Sequence, residues 1–164
     1  MVMGFEGPIH KVGPTQIIGV DEQVDASDYS ATADLQVSNP STSVASGEIL
    51  AISLVSYEAG SGAVQTPAGD IYLFDTDPDT TAGDTALTAA GAEHLTLIAV
   101  VNVTSTEWFS DSVGGFCYKS VALPFHGVGK VYAVFRPSAG ATSINDGGGD
   151  EERFDNQFWY RRDS

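Results

Sequence analysis

Basic residues are scarce in this chain. It has seven Lys and Arg against 22 Asp and Glu among 164 residues, a formal net charge of -15. Only Lys11, Lys119 and Lys130 are lysines. So acidic a surface repels polyanions at long range, which argues against nucleic acid and anionic membranes as partners. Cysteine is nearly missing too. Cys117 stands alone, so it cannot form an internal disulfide, and its setting in "GGFCYKSVAL" reads as a buried small hydrophobe. No apolar run reaches the roughly 18 residues of a membrane helix. The N-terminal "MVMGFEGPIHKVG" lacks the basic start and apolar stretch of a signal peptide, so secretion by that route is not expected.

Catalytic signatures are also lacking. There is no H-E-x-x-H, no C-x-x-C, no G-x-S-x-G and no phosphate-cradling G-x-x-x-x-G-K-[ST]. His10, His94 and His126 are far apart and share no ligand spacing. Nothing calls for a cofactor. Scarce lysine, high acidity and many threonines and alanines are similar to proteins of halophiles. At molar salt the Debye length is about 3 Å, which screens the self-repulsion of such a chain.

What the sequence does contain is β pattern. "DYSATADLQVS" alternates, with Tyr29, Ala31, Ala33, Leu35 and Val37 on one face and polar residues on the other. "ILAISLVSY" is apolar on both faces and fits a strand buried in a sandwich. "DIYLFDT", "HLTLIAVVNVT", "VGGFCYKSVALPF" and "GVGKVYAVFRP" follow as strands between Gly, Pro, Asn and Asp clusters, and "RFDNQFWYRR" reads as a last strand or an ordered tail. Only "TALTAAGAEH" is helix-like, and Gly91 limits it to a turn or two. The length suits one domain with an adequate core. The expectation is an all-β protein: an antiparallel, jelly-roll-like β-sandwich of about eight strands over residues 15–164. Strand spacing does not separate that order from an immunoglobulin-like one. Residues 1–14, with three glycines and two prolines, read as an extended N-terminal arm that docks on a neighbour.

Two acidic loops are weak metal candidates. Asp75, Asp77 and Asp79 match positions 1, 3 and 5 of an EF-hand loop, but positions 6 and 12 hold Thr80 and Ala86. Asp and Pro there fit a strand end that turns. "NDGGGDEE", with Asp146 and Asp150, could wrap a hard cation only by ordering three glycines. No metal is expected at either. Asn102-Val103-Thr104 matches a glycosylation sequon but sits within a strand pattern.

Aromatics are the stronger lead. "EWFSD" sets Trp108 and Phe109 beside two acids, and "QFWYRR" sets Phe158, Trp159 and Tyr160 beside Arg161 and Arg162. Such residues anchor protein interfaces and also form the platforms of sugar-binding modules. Phe5, Ile9, Trp108, Phe158, Trp159 and Arg161 are the expected interface residues.

Three segments, Gly47 to Val55, Leu73 to Pro78 and Leu95 to Val103, together resemble a group of tailed-phage head proteins. The likeness covers roughly residues 45 to 104 and includes no invariant chemical motif. It implies a non-enzymatic decoration or cement protein in the virion. Such a protein would bind the major capsid protein and itself, most often as a homotrimer, with no nucleic acid or membrane partner. With the halophile-like composition, it suggests a virus of a haloarchaeal or marine host. Two alternatives stand beside it. A carbohydrate-binding module would present a row of exposed rings. A hydrolase would show a cleft with a perturbed carboxylate or a metal.

Overall fold

A computed structural model describes residues 7–18, 24–39, 41–57, 64–84, 87, 95–112, 114–138 and 153–163. Among these residues nine strands make two antiparallel sheets. They are β1 (Ile9–Ile18), β2 (Ala33–Gln36), β3 (Ala45–Tyr57), β4 (Gly69–Phe74), β5 (Leu97–Val103), β6 (Trp108–Ser110), β7 (Gly114–Val128), β8 (Lys130–Pro137) and β9 (Arg153–Arg162). One sheet has the order β1-β9-β3-β7-β6 and the other β2-β8-β4-β5.

The pairing is nested. β4 pairs β5, β3 pairs β7, β2 pairs β8 and β1 pairs β9, all antiparallel. The chain is thus one long hairpin doubled back at β4 and β5 and then rolled up. Pairs β3·β9 and β4·β8 join the rolled turns into two sheets. With the three-residue β6 set aside, this is the eight-strand jelly-roll order, not the immunoglobulin one.

The core lies between the sheets. Ile49, Ile52 and Leu54 of β3, Phe154 and Phe158 of β9, Cys117 of β7 and Phe135 of β8 all belong to it. Alternation explains most of this. On β2, Ala33 and Leu35 point in while Asp34 and Gln36 stay exposed. The expected strand around β2 is longer than the observed one. Ser30, placed by alternation on the wet face, is fully buried: its Oγ accepts from the Phe135 N–H at 2.9 Å. A hydroxyl that replaces a ladder bond ends the regular strand there. Cys117 is buried as expected, and burial pushes its thiol up to about 11.

The arm over residues 1–14 needs correction. Residues Ile9 to Pro14 are not an arm but the first part of β1, registered against β9 from Ile9↔Arg161 onward. Gly13 permits it. Its φ is +86°, and a Cβ there would lie 2.7 Å from the Asn156 carbonyl oxygen. The Gly and Pro that suggested irregular chain instead build a bulge between Val12 and Thr15. Phe5, most of the helix-like stretch and the loop with Asp146 and Asp150 lie outside the described residues.

Phe158 also needs correction. It is fully buried in the core, because on β9 it alternates with Trp159, so it is closed to a partner. Phe158→Ala is expected to cost about 3–5 kcal/mol in denaturant unfolding. Trp159→Ala, on the opposite face, should cost clearly less. A second variant tests a buried polar atom. The Ser53 Oγ is buried and has no hydrogen-bond partner among the described residues. Ser53→Ala should therefore unfold within about 1 kcal/mol of wild type, on the stabilising side.

Candidate functional site

The outer face of the five-stranded sheet gathers most of the exposed rings. β9 turns Trp159 and Arg161 outward, while Phe158 and Tyr160 point in. On β7, Cys117 is buried, and Phe116 and Tyr118 on either side of it are exposed. Phe109 of β6 lies directly opposite Phe116 and is 83% exposed. The Phe116 and Tyr118 rings are nearly parallel, 25° apart with centroids 6.3 Å apart. Tyr118 then meets Trp159 edge-on at 5.4 Å. Lys11 of β1 holds its ammonium 5.6 Å from the Trp159 ring centroid.

This row crosses four strands because β3 carries small residues between them. Ala51 registers with Trp159 and Ser53 with Tyr118, and both small residues are buried. Larger side chains there would part the Trp159–Tyr118 contact. At the end of the row, Val55, Tyr57, Phe109, Asp111 and Phe116 line a groove of about 320 Å³.

Charge is sparse along this face. Arg153 makes a two-pronged contact with Asp155, at 2.7 and 3.0 Å, within β9. Glu48 and Asp111 lie towards the ends. The face is thus a ring-bearing strip on which Lys11, Arg153 and Arg161 balance Glu48, Asp111 and Asp155, on a strongly acidic molecule. Of the eight exposed large hydrophobics among the described residues, Ile9, Tyr57, Phe109, Phe116 and Tyr118 are on it.

The expected site residues divide accordingly. Ile9, Trp159 and Arg161 share the outer face, where β1 and β9 pair. Trp108 does not join them. It points inward from β6, packs edge-on against Phe154 at 6.3 Å, and donates its indole N–H to the Pro67 carbonyl at 2.9 Å. Phe109, Phe116, Tyr118 and Tyr57 were not among the expected residues. The spacing of Phe116 and Tyr118 around Cys117 was the available signal: period two puts both rings on one face.

Asp75, Asp77 and Asp79 sit in the loop that follows β4. The Asp77 carboxylate accepts the Asp79 N–H at 2.8 Å, and Asp84 accepts the Thr81 N–H at 2.6 Å. Thr80, buried, ties the loop down by donating to the Ser30 carbonyl at 2.9 Å. Among the described residues no group of three His, Cys, Asp or Glu side chains could hold a metal ion.

The side of the sandwich between β5 and β6 carries an ion pair. Lys119 donates to Glu107, and the Thr104 N–H donates to the same carboxylate at 2.8 Å. The Lys119 hydrogen bond, then the Thr104 bonds, bring Glu107 down from 4.5 to about 2. A carboxylate lowered in this way favours folding fully above its unfolded value near 4.5 and loses the effect as pH falls through about 2. A carboxyl NMR titration should place the Glu107 midpoint near 2, and Lys119→Met should raise it towards 4.5.

A scan of protein-family models finds none that matches this chain. A comparison with curated proteins finds no match either.

Proposed function

We propose that the protein is an adhesive structural component of a virion that reinforces the capsid shell. It lays the outer face of its five-stranded sheet on the major capsid protein. The observation that carries this reading is the concentration of exposed rings, with Lys11 and Arg161, on a face where acids do not outnumber bases. With strands about 4.8 Å apart and about 3.3 Å per residue, that face spans about 600 Å² in plan. A stable interface uses about 800 Å² on each partner, so the face supplies most of one. Repetition over a lattice multiplies a modest contact into high avidity. Viral capsid domains include jelly rolls, which agrees with this reading.

A second reading uses the same face. Lectin domains include jelly rolls too, and near-parallel Phe116 and Tyr118 beside Trp159 and a lysine form a platform on which sugar rings could stack.

Co-sedimentation with purified capsids in molar salt tests the first reading. The double variant Phe109→Ala/Tyr118→Ala should bind at least about tenfold more weakly, because each removed ring is worth about 1 kcal/mol or more at an interface. Unchanged binding by a folded double variant would remove the face from the mechanism. A glycan array separates the two readings. Signal that is lost in Trp159→Ala, with no capsid binding, would favour the sugar platform.

A further inference from the structure

We propose that β5 is an assembly edge, which pairs antiparallel with β5 of a second copy and joins two four-stranded sheets into one of eight strands. The sandwich has four edge strands, β1, β6, β2 and β5. Exposed edges invite pairing with other chains, and proteins block the unwanted ones. β1 is blocked by exposed Lys11, by Pro14, which has no N–H, and by two register shifts. β2 is four residues long and carries Asp34, which pairs with Lys130 at 2.7 Å. β6 has only three residues.

β5 differs. It has neither charge nor proline over Leu97–Val103, and the uncharged stretch runs from Leu95 to Thr106. Its one irregularity lies at its start, opposite the Leu73/Phe74 step. From Ala99 to Val103 it registers residue by residue with Leu73 to Gly69. Leu95 and Val100 are 88% and 47% exposed. Among the described residues, no backbone hydrogen bond from outside β4 reaches Leu97–Val103. Alternate N–H and C=O groups of an edge strand point away from its one neighbour, so they are open to a second strand.

Charge selects the occupant. The chain carries -15, and Asp70, Asp75 and Glu107 flank this edge. An acidic strand would be repelled there. A second β5 is uncharged by identity. A two-fold axis through Val101 sets Val100 of each copy opposite Asn102 of the other; Asp75 and Glu107 then lie beyond the ends of the paired stretch, and Asp70 stays one strand back on β4, where it accepts from the Asn102 side chain at 2.9 Å. An isologous pair of this kind closes at two copies. That departs from the threefold association the phage resemblance implies.

The test is the solution mass in molar salt, with hydrogen exchange of the backbone amides. Wild type should show twice the 17.2 kDa chain mass. Val100→Lys places on the edge the residue that natural edges use as a block. It should return the mass to one chain and weaken the dimer at least about tenfold, with an unchanged circular dichroism spectrum. Exchange over residues 97–103 of wild type should be slower in concentrated than in dilute solution. A monomer at every concentration overturns the proposal. So does an oligomer of any size whose mass survives Val100→Lys and whose β5 amides exchange equally at both concentrations.

Discussion

Two-sided pairing along β3 is the constraint on which the rest of the structure depends. Its neighbours β9 and β7 run antiparallel to it along nearly its whole length, from Gly47 to Tyr57 on one side and from Ala45 to Tyr57 on the other. Its inward residues, Ile49, Ile52 and Leu54, anchor the core. Its outward residues, Ala51 and Ser53, are small, and that smallness lets Trp159 and Tyr118 meet across it. One strand therefore sets both the interior and the external ring row. It also requires β9 to arrive from the far end of the chain before the sheet is complete, and such non-local closure favours slow folding.

The acidity of the chain is distributed with a purpose that the fold makes physical. Ion pairs on β7, β8 and β9 each neutralise one carboxylate locally: Lys119–Glu107, Lys130–Asp34 and Arg153–Asp155. Excess acid is placed in turns such as Asp75 to Asp84, where carboxylates cap backbone N–H groups. Neither arrangement puts charge on β5, and the ion pair on the face of the ring row, Arg153–Asp155, is balanced within itself. A molecule that stays soluble by repulsion can still associate if repulsion is absent from the contacting surface.

Much of the fold was legible in the sequence. Period-two alternation located β2 and β5, and the doubly apolar "ILAISLVSY" marked β3 as a strand buried on both faces. The nested order was not legible, because strand spacing records where strands are and not which ones pair. The N-terminal strand was missed because Gly13 and Pro14 mimic irregular chain when the bulge they form is unseen. The site was half legible. Alternation within "QFWYRR" should divide Phe158 and Tyr160 from Trp159, but which set faces in depends on the partner sheet. Trp108 beside Phe109 posed the same two-way choice, and the Pro67 carbonyl resolved it by binding the indole inward.

The nested pairing also determines how the fold bears load. Ile9 of β1 lies opposite Arg161 of β9, so the first strand begins and the last strand finishes at one corner. Tension applied across that corner would open the β1·β9 ladder one rung at a time, like a zipper. Force entering through the broad face of the sheet would instead be shared by many rungs at once. A contact made through the flat side would therefore hold under a load that peels one made at that corner.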